Sequence, residues 1–292
     1  MRQKNEIRHN YLPFGSLNPF TVQINPRLSM KLYRDCRPAY LETAPLQKGL
    51  VLLLDGRELI EEGVGFGVPV AKYKDKTYFS SSAKSWIETD QKQCILVKSF
   101  VLDTISRKRF EEGPYFNDKL YRLLHSVFEL GYVNFTGLAQ AFNRLMELRK
   151  KLGLKTEFIR VKPRGTAIFK YSYRPDEIQI TAEISLLGVD QCKEILILNE
   201  QGSSFFRRYV DSSGSLLFGR KIGAWTKITA DEAYFSNLKQ TLTFSMKNNL
   251  STPLFRGWEK TVDRFSWSGL AYSLRPRNST ICYSIKLKLG ED

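Results

Sequence analysis

Most of this chain alternates apolar and polar residues with a period of two, the spacing that puts one side of a β-strand against a core. FTVQINPRLSMKLYRD (20–35) alternates around Pro26, which suits an edge strand or a bulge, because proline donates nothing to a ladder. GLVLLLDG (49–56) is a continuous apolar run ending in Asp55-Gly56, a strong hairpin signal. VPVAKYKDKTYFSSS (68–82) alternates again, with a turn at 74–76, and CILVKSFVLDTISRKRF (94–110) continues the pattern. Beyond residue 154 the strands resume. Turns are predicted at Pro163-Arg164-Gly165, at Pro175-Asp176 and at 211–214, where glycine, proline, aspartate and serine cluster.

The period changes between 116 and 153. FNDKLYRLLHSVFELGY places Leu120, Leu123, Leu124, Val127 and Phe128 on one helical face, with Asn117 as N-cap and Gly131 as the stop. TGLAQAFNRLMELRKKLG does the same with Leu138, Ala141, Phe142, Leu145 and Leu148. A short connection between them predicts an antiparallel helical hairpin. Runs of strands interrupted by one helical pair argue for a mainly β chain: a large, extended antiparallel β-sandwich with one inserted α-helical hairpin. No flexible linker divides it, so 1–292 is read as a single β domain. The alternative is two β subdomains, 1–115 and 154–292, separated by the hairpin.

Composition supports a packed core: 42% of residues are hydrophobic and 13% aromatic, which excludes a disordered chain. No apolar run approaches the roughly 20 residues that span a bilayer. The polar N-terminus lacks the apolar core of a secretory signal, so the expected location is cytoplasmic. Cys36, Cys94, Cys192 and Cys282 are widely separated, as buried free thiols would be. With His9 and His125 the only histidines, neither a zinc site nor a histidine-based triad is expected, and no cofactor or metal is.

The net charge of +15 is concentrated at the two ends of the chain, while residues 51–200 are nearly balanced. That distribution supports an anion preference more than a nucleic-acid groove.

Candidate chemistry begins with GVGFG (63–67). It lacks both the spacing of a dinucleotide fingerprint and a following helix to receive a pyrophosphate. The expectation is a glycine-permitted bulge that brings Glu61 and Glu62 to the rim of a concave sheet. Lys72 and Lys74 continue the strand on one face, with Tyr73 opposite, and either bind an anion or solvate an edge. Asn199 and Glu200 end the apolar strand EILIL, and Arg207 follows a few residues on, a polar rim of the kind a ligand contacts. Trp86, Trp225, Trp258 and Trp267 sit among small and charged residues; two or more are expected in the core, and Trp225 or Trp258 could form a stacking platform for a sugar.

These readings point to a carbohydrate-recognising or carbohydrate-processing β-sandwich. Glu61, Glu62 and Glu200 are its candidate catalytic carboxylates, and Trp225, Trp258, Asn199, Arg207, Lys72 and Lys74 its ligand contacts. One alternative is a basic anion- or nucleic-acid-binding module. The other is a non-catalytic assembly protein whose basic ends and helical hairpin meet a partner. Neither alternative requires a membrane, and whether the protein is an enzyme stays open at this level.

Overall fold

A computed structural model of the chain describes residues 19–34, 47–61, 63–74, 77–90, 93–110, 155–248, 252–260, 266–276 and 280–290. The predicted helical hairpin at 116–153 lies outside the described residues, as do Glu62 and Cys36. The chain divides into a body of residues 1–104 and 162–292 and a second unit of residues 105–161.

Ten strands precede the polar run after EILIL: β1 (Phe20–Gln23), β2 (Leu28–Leu32), β3 (Leu50–Leu54), β4 (Arg57–Glu58), β5 (Phe66–Tyr73), β6 (Thr77–Asp90), β7 (Gln93–Phe110), β8 (Lys155–Arg174), β9 (Glu177–Leu186) and β10 (Cys192–Gln201). Eight follow: β11 (Arg208–Asp211), β12 (Leu216–Phe218), β13 (Thr226–Lys227), β14 (Glu232–Ser236), β15 (Leu242–Lys247), β16 (Leu254–Lys260), β17 (Ser266–Leu274) and β18 (Thr280–Leu289). All belong to one large antiparallel hydrogen-bonded system, with short 3-10 turns at Val189–Gln191 and Gly219–Ile222 and no α-helix among the described residues.

The register pairs trace two ladders. In the first, β7, β6, β5, β10, β17, β16 and β13 lie side by side. The β1–β2–β3 meander joins the edge of β5 that β6 also uses, through Leu50 and Phe66. In the second, β8, β9, β18, β15, β14, β11 and β12 follow one another. Side chains from the two ladders meet edge to face: Phe66 of β5 lies 5.2 Å from Phe244 of β15, and Tyr272 of β17 lies 5.1 Å from Tyr283 of β18. The Tyr171 hydroxyl of β8 reaches the carbonyls of Phe66 and Gly67, 3.2 Å from each. Burial holds that phenol protonated, with its pKa far above the ordinary range.

Local sequence explains the strand ends. β9 alternates as predicted, with Ile178, Ile180, Ala182 and Ile184 inward. Asp55 and Gly56 both take positive φ in the β3–β4 hairpin, and Gly214 (φ +88°) closes the β11–β12 turn over the Asp211 carboxylate. The Pro26 segment is a tight hairpin rather than one bulged strand, because the Asn25 carboxamide oxygen accepts from the Arg27 and Leu28 amides and turns the chain.

The turn expected at 163–165 does not form. β8 runs straight through, pairing with β9 from Gly165 onward, so Pro163 lies where no β8–β9 pair needs its missing N–H. The described cysteines are free, but only Cys192 is buried; Cys282 lies exposed on the outward side of β18, where the alternation of that strand puts it.

Candidate functional site

β10 leaves its apolar stretch at Asn199-Glu200-Gln201, and all three side chains stay buried. Alternation sends them in different directions. The Asn199 carboxamide oxygen accepts from the Gly67 amide at 3.0 Å and from the Tyr283 hydroxyl at 2.9 Å, so it joins β5 to β18. Gln201 accepts from the Leu52 amide and donates to the Leu50 carbonyl, each at 3.3 Å, so it docks β3. Gly65 and Gly67 have φ near +86° and +76°, and the β5–β10 register shifts between Leu198 and Asn199. The glycine-rich stretch is therefore a bend that fits around these amides. Tyr283→Phe removes one of the two donors to Asn199 and is expected to cost about 1 kcal/mol, measured by chemical denaturation.

Glu200 points away from the second ladder. Its register neighbours are Gly269 of β17 and, one strand further, Gly257 of β16. Two residues along, Trp267 and Glu259 form the next pair on the same side. Gly257 is the floor: a Cβ there would come within 2.6 Å of the Trp267 ring and 3.1 Å of Trp225. Trp267 lies over that floor, and Trp225 stacks on it with ring centroids 4.6 Å apart and an interplanar angle of 16°. Trp267 is buried and Trp225 half-buried, so the pair turns its outer ring toward solvent.

Burial pushes the Glu200 pKa up to about 8, the Val64 amide (3.3 Å) works against that shift, and the neighbouring Glu259 carboxylate adds to it. Glu259 is half-buried; burial raises its pKa too, and the Trp267 side chain, its hydrogen-bond partner, opposes the rise. Glu200, kept protonated by its burial, can offer a carboxyl O–H donor at neutral pH beside the aromatic stack.

The structure brings some of the predicted residues to this strand end. Glu61, half-buried, accepts from the Ser204 amide at 3.4 Å, and the Ser204 hydroxyl in turn accepts from the Lys260 ammonium. Trp258 lies on the opposite side of β16 from Glu259, buried, and donates its indole N–H to the Ser203 carbonyl at 3.2 Å. Arg207 is exposed, on the segment that leads into β11.

Lys72 and Lys74 lie elsewhere. Lys72 pairs with Glu194 at 2.8 Å, six residues from Glu200 and so about 20 Å along the strand. Lys74 is exposed just beyond β5.

Sequence reading offered Arg256 and Glu259 as polar partners of an exposed Trp258, whereas Trp258 is buried and Glu259 pairs in register with Trp267, to which no separate role was given. The available signal was period-two spacing in FRGWEK, which puts Gly257 and Glu259 on one face and Trp258 on the other. Among the described residues, no cluster of three His, Cys, Asp or Glu side chains could hold a metal, and no helix is long and apolar enough to cross a membrane.

No protein-family model matches this chain, and no curated protein does. Among solved structures it is similar to the Slr1438 protein of Synechocystis sp. PCC 6803 (10% identity, TM-score 0.42), covering 94% of this chain and 96% of that one. It is similar to the alpha-N-acetylgalactosaminidase NagBb of Bifidobacterium bifidum (6% identity, TM-score 0.47), again over 94% of this chain but only 36% of that enzyme. A third similarity, at 8% identity and TM-score 0.40, is to a provisionally designated aldose 1-epimerase of Escherichia coli K12, covering 94% of this chain and 99% of that one.

Proposed function

We propose that this chain is a carbohydrate-recognising protein, a β-sandwich whose two ladders are its layers, with the ligand held at the strand end of β10, β16 and β17. The observation that carries this reading is the Trp225–Trp267 stack standing on Gly257 beside Glu259 and Glu200. A half-exposed indole backed by a second, buried one is rigid, flat and already desolvated on its inner side. It suits the C–H face of a sugar ring and loses little entropy on binding.

Polar groups around it suit hydroxyls. Glu259 stands beside the stack as a half-buried polar contact, and Glu61 and the exposed Arg207 lie at the same end of β10. Glu200 sits one row behind the surface at 2% exposure. That depth favours recognition over turnover as the role of the site. In this reading Glu61 is a contact residue rather than an acid–base partner of Glu200.

Calorimetric titration with a panel of neutral oligosaccharides, at low and high salt, tests the proposal. One sugar class is expected to bind with an affinity insensitive to salt. Trp225→Ala is expected to weaken that binding at least tenfold, about 1.4 kcal/mol, with no loss of melting temperature. Silence across the panel, or unchanged binding by Trp225→Ala, overturns the reading.

A further inference from the structure

The outward face of the second ladder is built differently from its inward one. β9, β18 and β15 send Ile178, Ile180, Tyr283, Ile285, Phe244 and Met246 inward and leave charged and hydroxylated residues outside. In register, Glu177 of β9 faces Lys286 of β18, which faces Ser245 of β15; Lys247 of β15 faces Glu232 of β14. A cavity of about 520 Å³ opens here, with Tyr272 of the first ladder in its lining. That volume is in the range of small-molecule sites.

The hydrogen-bond inventory gives the cavity a bias. Both carboxylate oxygens of Glu232 are engaged, one by the Tyr234 hydroxyl at 2.7 Å and the other by the Ser245 hydroxyl at 3.0 Å. The Asn248 carboxamide is also engaged: its NH2 donates to the carbonyls of Ile228 and Ala230, and its oxygen accepts from the Leu254 amide. The Tyr272 hydroxyl donates to the Lys247 carbonyl. The Lys247 and Lys286 ammonium groups, in contrast, join no ion pair among the described residues.

Lys247 lies two residues beyond Ser245, the register partner of Lys286, and both lysines line the cavity, near enough to reach one anion between them. The two ammonium groups thus face the cavity without a hydrogen-bonded partner among the described residues, while Glu232 is held by two hydroxyls. Glu177 is an exposed-side carboxylate opposite Lys286 that can take a hydroxyl.

We propose that this cavity is a second ligand site, separate from the tryptophan rim, for a monosaccharide carrying one anionic group. Lys247 and Lys286 hold the phosphate or carboxylate. Ser284 and Glu177 meet the hydroxyls, and Glu232, fixed by Tyr234 and Ser245, keeps the floor from closing over the site.

Calorimetric titration of the full chain with glucose 6-phosphate, glucuronate, glucose and inorganic phosphate tests this. At least one of the two anionic sugars is expected to bind no less than tenfold more tightly than glucose or inorganic phosphate. Which of the two binds identifies the anionic group. The pair of substitutions Lys247→Met and Lys286→Met is expected to remove that binding, and Trp225→Ala to leave it intact. Should the double variant fold poorly, Lys286→Gln alone is expected to weaken binding at least threefold.

Three results overturn the proposal: no response to any of the four probes, inorganic phosphate binding as tightly as the sugar phosphate, or lysine variants that bind like the unaltered chain. Loss of the response in Trp225→Ala also overturns it, by moving the ligand to the rim. None of these outcomes depends on whether neutral oligosaccharides bind there.

Discussion

Glu200→Gln is expected to flatten the dependence of stability on pH between about 5 and 8.5 and to leave the variant the more stable protein at the alkaline end. The folded chain keeps the Glu200 proton up to about pH 8, whereas an unfolded chain gives it up near 4.5. Between those values the folded state binds more protons, so unfolding becomes easier as pH rises. The gap is equivalent to roughly 5 kcal/mol, fully present as stability below pH 4.5 and gone above pH 8. Glutamine cannot ionise and keeps an oxygen for the Val64 amide. Its NH2 group, buried without a partner, costs about 1–2 kcal/mol at every pH, so the variant is slightly weaker near pH 5.

Glu259, whose pKa burial also raises, adds a slope of the same sign that both proteins share, so the difference between them reads Glu200. Glu58, Glu194 and Asp211 have lowered pKa values, and their contributions fall away only at more acidic pH. Urea denaturation of both proteins at pH 5, 6.5, 8 and 9 reads the effect. Parallel curves would mean that Glu200 ionises like an exposed carboxyl, and a protonated group behind the tryptophan stack would then have no basis.

Gly269→Ala is expected to destabilise the fold by about 3 kcal/mol, lowering the melting temperature by roughly 6–12 °C. The cause is contact rather than backbone strain. A Cβ at 269 would stand 2.1 Å from the Asn199 carbonyl oxygen and 2.7 Å from the Glu200 α-carbon, both main-chain atoms that cannot rotate aside. β17 would have to move off β10 along the row that carries Glu200.

Gly214→Ala is the matching control. Nothing lies within 4 Å of its added methyl, and only its φ of +88° resists, for about 1 kcal/mol. If the two variants lose the same stability, the close approach at 269 is not what holds the rim together.

How much of this was legible in the sequence differs from element to element. The strands of β9, the Asp55-Gly56 hairpin and the 211–214 turn follow from alternation and turn chemistry, which are local. The bend at 63–67 was legible as a bend. Its partner was not, because the groups that fit into it come from β10, more than 130 residues away. The same limit hid the site. Glu200 looked like a residue at an exposed rim, since strand ends usually emerge there. Whether one does depends on what covers it, and here Val64 and the segment around it do. That Glu259 stands with Trp267 rather than with Trp258 became visible only once β16 and β17 were paired, as register decides which side chains share a face. Lys72 and Lys74, adjacent in sequence to the glycines, ended far from the rim because β5 carries them to the other end of β10.

The polar run that ends β10 also imposes an order on synthesis. Gly67 waits for the side chain of Asn199, 132 residues later, and Leu52 for that of Gln201, 149 residues later. At ribosomal speeds of about 5–20 residues per second, these delays are roughly 7–30 s. β5, buried along nearly all its length in the finished protein, has no β10 to pair with throughout that interval. The nascent N-terminal third is thus an open apolar edge with nothing yet made to close it, and a chaperone that holds β3 and β5 apart from other chains during those seconds would govern the yield of folded protein.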